Sequence, residues 1–132
     1  MNLVERIDAF VQLGKFLSGL SEENPTFMGQ ELEKLKSKIE ESEIKNNWFT
    51  EDSINNSLLA LSKQLSSDNF DAWLTPYNLS DLGEDKKVLL VMAGNIPLVG
   101  FHDFLSVLIS GNKAVVKLSS NDSVLLPYLW EV

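Results

Sequence analysis

Val88-Leu-Leu-Val-Met-Ala-Gly-Asn-Ile-Pro-Leu98, followed by Gly111-Asn-Lys-Ala-Val-Val-Lys-Leu-Ser-Ser120, is the stretch whose reading decides the fold. Val88 to Ala93 is an unbroken apolar run of strand length, the pattern of a strand covered on both faces. Lys113 to Leu118, with Ala114, Val115 and Val116 at its centre, reads as a second strand. Between them Leu98, Phe101, Leu105, Leu108 and Ile109 recur at helical spacing. Pro97 suits a first helical turn, where its missing N–H has no partner anyway, and Gly111-Asn112 supplies a stop. The spacing therefore predicts a helix from about Pro97 to Ser110, long enough for a right-handed crossover between parallel strands. Polar loops at the carboxyl ends of such strands are where open α/β sheets bind ligands.

Upstream of residue 82 the pattern is helical throughout. Leu3, Val4, Ile7, Phe10, Val11 and Leu17 form one stripe, ended by the polar Ser21-Glu-Glu-Asn-Pro25. Met28, Leu32, Leu35 and Ile39 form a second, with Glu and Lys on the opposite face. Thr50 is a good N-cap for a third helix carrying Ile54, Leu58, Leu61 and Leu65. A shorter segment, Asp68 to Tyr77, holds Phe70, Trp73 and Leu74 and is closed by Pro76. Such stripes pack helices together, the alternative being a seat for an acyl chain or a membrane surface. Trp48, Phe49, Phe70, Trp73 and Tyr77 read as core or interface anchors.

Composition narrows the function classes. A net charge of −8, with lysines alternating with glutamates along the second helix, argues against nucleic acid as a partner. There is no cysteine, which removes disulfides, thiolate metal sites and a cysteine nucleophile from these 132 residues. The single histidine, His102, cannot make a metal site unaided, and no carboxylate grouping suggests one. No apolar run is long enough to span a bilayer, and Glu5, Arg6 and Asp8 interrupt any signal-like segment. The three Asn-x-Ser sequons, at Asn55, Asn78 and Asn121, then carry no weight, and the expected address is cytoplasmic.

The two loops hold the candidate chemistry. Neither contains the glycine spacing of a dinucleotide fingerprint or a P-loop. Asn95 follows Gly94 at a strand end: its amide either stabilises a developing oxyanion or caps the helix entered at Pro97. Lys117 either reaches a ribose or phosphate of a ligand or is a surface lysine at a strand end. Ser119 and Ser120, with Asn121, Asp122 and Ser123, offer hydrogen-bonding groups beside it, though such residues also simply make turns. Asp103 is explained by the dipole of its helix, and His102 reads as a satisfied or exposed side chain rather than a base.

Ala93-Gly-Asn-Ile-Pro97, Gly111-Asn-Lys-Ala-Val-Val-Lys117 and Ser119-Ser120 together resemble the start of the cofactor domain of the aldehyde dehydrogenase superfamily. Within it the chain is most similar to the acyl-CoA reductase (LuxC-like) family. Asn47-Trp-Phe-Thr50 and Trp73-Leu-Thr-Pro-Tyr77 also resemble the leader of the bacterial members. The resemblance implies Asn95 as an oxyanion donor to a thioester-linked intermediate and Lys117 as a ligand of the adenine ribose. The superfamily's usual Pro, small residue, Glu after that lysine is here Leu118, Ser119, Ser120. Ser120 in place of the glutamate leaves room and donors for a 2′-phosphate, so NADPH is expected, with NADH not excluded. Ser119 and Ser120 are thereby cofactor-binding candidates.

The expectation is thus an α/β chain. Residues 1–82 form a helical region, and residues 83–132 the first β-α-β unit of an incomplete, Rossmann-type parallel sheet. The chain would be the N-terminal part of an NAD(P)H-dependent acyl-CoA reductase whose nucleophilic cysteine lies outside it. Acyl-CoA and the nicotinamide cofactor are then partners of the parent, with no tight cofactor binding and with self-association expected of the chain alone. A stand-alone, non-catalytic nucleotide-binding or assembly module is the alternative. If Pro127 starts a helix, that helix is cut short at Val132, consistent with a fragment.

Overall fold

A computed structural model describes residues 1–79 and 85–132. Six helices and two strands follow in order: α1 (Leu3–Ser18), α2 (Gly29–Lys45), α3 (Glu51–Gln64), α4 (Ser67–Leu74), β1 (Lys87–Val91), α5 (Phe101–Ile109), β2 (Lys113–Lys117) and α6 (Leu125–Glu131), with a 3-10 turn at Gly19–Ser21. The protein is a mixed α/β structure, mostly helical, with a two-stranded parallel sheet. The division placed between residues 82 and 83 lies outside the described residues. Among those described, no helix is long and apolar enough to cross a membrane.

Local chemistry sets the helix boundaries. Asn2 and Glu5 close a reciprocal capping box on α1, and Thr50 with Ser53 does the same for α3. Ser66 caps α4, whose end at Leu74 precedes Pro76. Along α2 the lysines and glutamates pair on the exposed surface, Lys36 with Glu33 and both Lys38 and Lys45 with Glu41. Such exposed pairs add little stability. The apolar stripes turn inward instead. Leu32, Leu35 and Ile39 of α2, and Ile54, Leu58 and Leu61 of α3, are buried.

One apolar cluster joins the helical half to the β-α-β segment. Phe10 of α1 meets Phe101 of α5 edge to face at 6.3 Å. Leu125, Leu126 and Leu129 of α6 belong to the same cluster. The Tyr128 hydroxyl of α6 donates to the Glu31 carbonyl of α2 at 2.6 Å. Phe49 and Phe70 are core anchors, and Trp73 is half-buried against Phe70 and His102. Trp48 and Tyr77 are not, at 91% and 60% exposure.

The strands pair in parallel, from Lys87 opposite Lys113 to Val91 opposite Lys117. Val88, Leu90, Ala114 and Val116 face the helices. The other face is open: Leu89, Val91 and Val115 are 65%, 68% and 47% exposed, with Lys87, Lys113 and Lys117 beside them. The apolar run is therefore covered on one face only.

Two boundaries depart from expectation. The crossover helix begins at Phe101 rather than near Pro97. Leu98 adopts a left-handed conformation, φ 59°, which no α-helix tolerates and which costs a leucine about 1–2 kcal/mol. Residues 96–101 instead form turns closed by Val99 N–H to Ile96 and Phe101 N–H to Leu98. At its other end α5 stops as expected. Gly111 sits at φ 82°, and the Asn112 N–H reaches back to the Val107 carbonyl. Helix α6 starts at Leu125, two residues before Pro127, which still falls in the first turn, where its missing donor costs nothing.

Gly14 sits in α1 where that helix crosses α3. A Cβ there would lie 2.7 Å from the Leu65 carbonyl oxygen and 2.9 Å from the Leu65 Cβ. Gly-to-Ala in a helix gains about 1 kcal/mol by propensity, but overpacking against backbone costs about 1–3 kcal/mol. Gly14→Ala should therefore destabilise the protein. Gly29→Ala, where a Cβ meets nothing within 4 Å, should not. Urea midpoints of the two variants check this, and a stabilised Gly14→Ala would refute the close crossing.

Candidate functional site

Because β1 and β2 are parallel and in register, both following loops leave the sheet at the same end. The Met92 N–H extends the ladder one step by donating to the Lys117 carbonyl at 3.0 Å. Beyond it the loops touch. A Cβ on Gly94 would run into the Ser119 hydroxyl and lie 2.7 Å from Ser119 Cβ and 3.1 Å from Asn121 Cβ. Only a glycine lets the backbone come this close.

The second loop is a tight turn. The Asp122 N–H donates to the Ser119 carbonyl at 3.1 Å, and the Asn121 N–H donates to the Ser119 hydroxyl at 3.2 Å. Ser119 is half-buried and structural in part, whereas Ser120 is exposed. Lys117, the last residue of β2, lies exposed on the open sheet face opposite Val91. Asn95 is exposed in the first loop, one residue from the Gly94–Ser119 contact. The fold thus brings the Asn95 loop and the Ser119-Ser120 loop together. It places Lys117 at their base.

The capping alternative for Asn95 does not hold. The N-cap of α5 is Gly100, with no side-chain cap, and the helix does not begin near Pro97. His102 is occupied structurally: Gln64 Nε2 donates to its Nδ1 at 3.1 Å, and its ring packs on Trp73 at 5.3 Å. Asp103 sits in the first turn of α5, at the positive end of the helix dipole.

Two further residues prove central: Asp122, which the sequence offered as turn material, and Asn46, which it did not single out. The Asp122 Oδ2 accepts the Leu98 N–H at 2.8 Å, joining the second loop to the strained point of the first. Its Oδ1 is buried without a partner. Burial pushes the Asp122 carboxyl above the usual carboxylate range, and the Leu98 hydrogen bond opposes that rise in part. Asn46, at the end of α2, is buried and donates its side-chain N–H to the Asn121 carbonyl at 3.1 Å. Its Oδ1 accepts the Trp48 N–H. Only the Asn-Asp dipeptide of a turn hinted at the first of these, and nothing in the sequence hinted at the second.

Two sizeable cavities among the described residues open elsewhere. One of 420 Å³ lies between α5, β2 and α6, and one of 460 Å³ between α1 and α6; neither is lined by Asn95, Lys117, Ser119 or Ser120. Among the described residues, no group of three or more His, Asp or Glu side chains is placed to hold a metal ion. The two loops offer a surface of two amides (Asn95 and Asn121), one ammonium (Lys117) and the hydroxyls of Ser119 and Ser120. Neither Asp122 oxygen is turned outward there, since one is bonded to Leu98 and the other is buried. Such a surface suits an anionic, hydroxyl-bearing ligand. Comparison with protein-family models, with curated proteins and with solved structures found no match to the chain.

The sign of the Asp122 effect on stability can be worked out. A carboxyl whose pKa is raised in the folded state makes the native protein hold its proton longer than the unfolded chain. Stability is then fully present below the unfolded value, about pH 4, and declines as pH rises through the raised native value. Asp122→Asn keeps an oxygen for Leu98 but removes the ionisation. The variant should gain on the wild-type protein as pH rises from about 4 toward neutrality. Urea midpoints of both proteins across that range decide it; a difference independent of pH would mean that Asp122 is not desolvated.

Proposed function

We propose that the two loops are a nucleotide-binding edge of the aldehyde dehydrogenase type and that the chain is part of an NAD(P)H-dependent acyl-CoA reductase. The observation that carries this reading is the contact of Gly94 with Ser119 and Asn121 at the carboxyl ends of two parallel strands. Ligands of open α/β sheets bind in that position. The resemblance of Ala93–Pro97 and Gly111–Ser120 to the LuxC-like reductases supplies the chemistry. With Gly100 as the N-cap of α5, the Asn95 amide has no capping role there and lies exposed at the site.

In this reading Asn95 donates an N–H to the carbonyl oxygen of an acyl thioester as negative charge develops on it. Lys117 holds ribose hydroxyls, and Ser120, exposed and without an outward carboxylate beside it, accommodates a 2′-phosphate. Ser119 shapes the turn and offers its hydroxyl to the same ligand. NADPH, or NADH, supplies the hydride when bound. The nucleophilic thiol must come from outside these 132 residues, which contain no cysteine. The proposed place of action is the cytoplasm.

NADPH titrated into the labelled protein tests the reading. Shifts should concentrate at Asn95, Lys117, Ser119 and Ser120, with affinity in the millimolar range. Shifts scattered over the surface, or none, would reject it. In a reductase assembled with its thiol, Asn95→Ala should lower kcat by about a hundredfold or more. Lys117→Ala should raise the KM for NADPH and spare acylation of the thiol.

The open sheet face favours the second reading, an assembly module. Leu89, Val91 and Val115 form an apolar patch that a monomer leaves in water. Self-association through this face follows, and Leu89→Glu should abolish it without loss of helical signal. Sedimentation velocity of both proteins over a concentration series checks this. A wild-type protein that stays monomeric throughout would sink the assembly reading.

A further inference from the structure

Leucine has no intrinsic preference for a left-handed backbone, yet Leu98 holds one in the middle of the first loop. Something outside the loop must impose it. The Leu98 N–H donates to the Asp122 carboxylate, 24 residues away, in a charge-assisted hydrogen bond of 2.8 Å. Asp122 is itself fixed by the 119–122 turn, into which Gly94 packs. That turn is in its turn anchored to the helical half. Asn46, buried at the end of α2, spends its amide N–H on the Asn121 carbonyl. Its backbone carbonyl receives the N–H of Phe49, a core residue, at 2.8 Å.

The contacts form a single chain: from the core at Phe49, through Asn46 and Asn121, to Asp122, then Leu98 and the loop bearing Asn95. Neither polar link is needed to fill space. Asp122 leaves one oxygen buried without a partner, and burying it among Met92, Leu98, Phe101, Leu118 and Leu126 costs free energy, which counts against a purely stabilising role.

We infer that Asp122 and Asn46 are positioning residues. Asn46 ties the second loop to the helical half, Asp122 ties the first loop to the second, and together they fix where Asn95 is presented. The purpose assigned to this linkage rests on the reading of the loops as a nucleotide site; the linkage itself does not.

The test uses the full chain, labelled for NMR, without ligand and then with NADPH. In the wild-type protein the Leu98 amide should exchange with solvent at least about tenfold more slowly than an unprotected amide. In Asp122→Ala that protection should vanish and the resonances of residues 95–100 should shift or broaden, while those of α1 to α3 stay in place. Asp122→Asn, which keeps an acceptor for Leu98, should restore both. Asn46→Ala should disturb residues 119–122 and, through Asp122, residues 95–100 as well.

A wild-type Leu98 amide that exchanges freely overturns the inference without recourse to any variant, including one that fails to fold. Unmoved resonances at 95–100 in a folded Asp122→Ala protein overturn it too. Disturbance confined to residues 46–50 in Asn46→Ala removes the share given to Asn46. With NADPH, wild type and Asp122→Asn should show the same shifts at Asn95, and Asp122→Ala should lose them. If the exchange results hold while NADPH shifts nothing in the wild type, the nucleotide reading falls and the positioning role stands.

Discussion

Parallel pairing of two short strands, with Val91 opposite Lys117, is the constraint from which the rest of the site follows. Parallel strands need a crossover, so α5 must lie between them in sequence and pack against them in space. It does so with Phe101, Phe104, Leu105 and Ile109, all buried. Parallel direction also sends both loops out at one end, where Gly94 can meet Ser119. An antiparallel pair would have put Asn95 and Lys117 at opposite ends of the sheet.

The sheet is too small to bury itself. Its inner face shares a core with α1 to α6, including the edge-to-face contact of Phe10 with Phe101, so the helical half gives the two strands the packing that they cannot give each other. The outer face has no such cover. Leu89, Val91 and Val115 lie there among three lysines, one of which, Lys113, pairs with Asp85 at 2.7 Å. In a protein of net charge −8 this is a local reversal of sign on an apolar ground. The lysines would repel those of a second copy stacked face to face, so self-association through this surface works best head to tail, against an acidic surface of the second copy.

At the loops, backbone strain and electrostatics oppose one another in a small space. Leu98 is held in a costly conformation, and Asp122 holds it at the expense of its own hydration. Neither is a favourable local choice. They are sustained by contacts reaching back to Asn46 and the core, which is how locally unfavourable geometry persists in folded proteins.

Amphipathic periodicity, capping chemistry and strand-length apolar runs were legible in the chain itself, because they depend on neighbours within a few residues. Thr50 as a cap, the buried stripes of α2 and α3, the stop at Gly111 and the two strands belong to this class. The start of α5 was not legible, because Pro97 satisfies the local rule for a first turn while a carboxylate 24 residues away enforces a different backbone at Leu98. The same holds for Asn46, whose partner lies 75 residues downstream. The sequence by itself determined which segments are helix and strand and which loops carry amide, ammonium and hydroxyl groups. Only the tertiary structure decided how those loops are held together, because hydrogen bonds between distant residues are set by packing and leave no periodic trace in the chain.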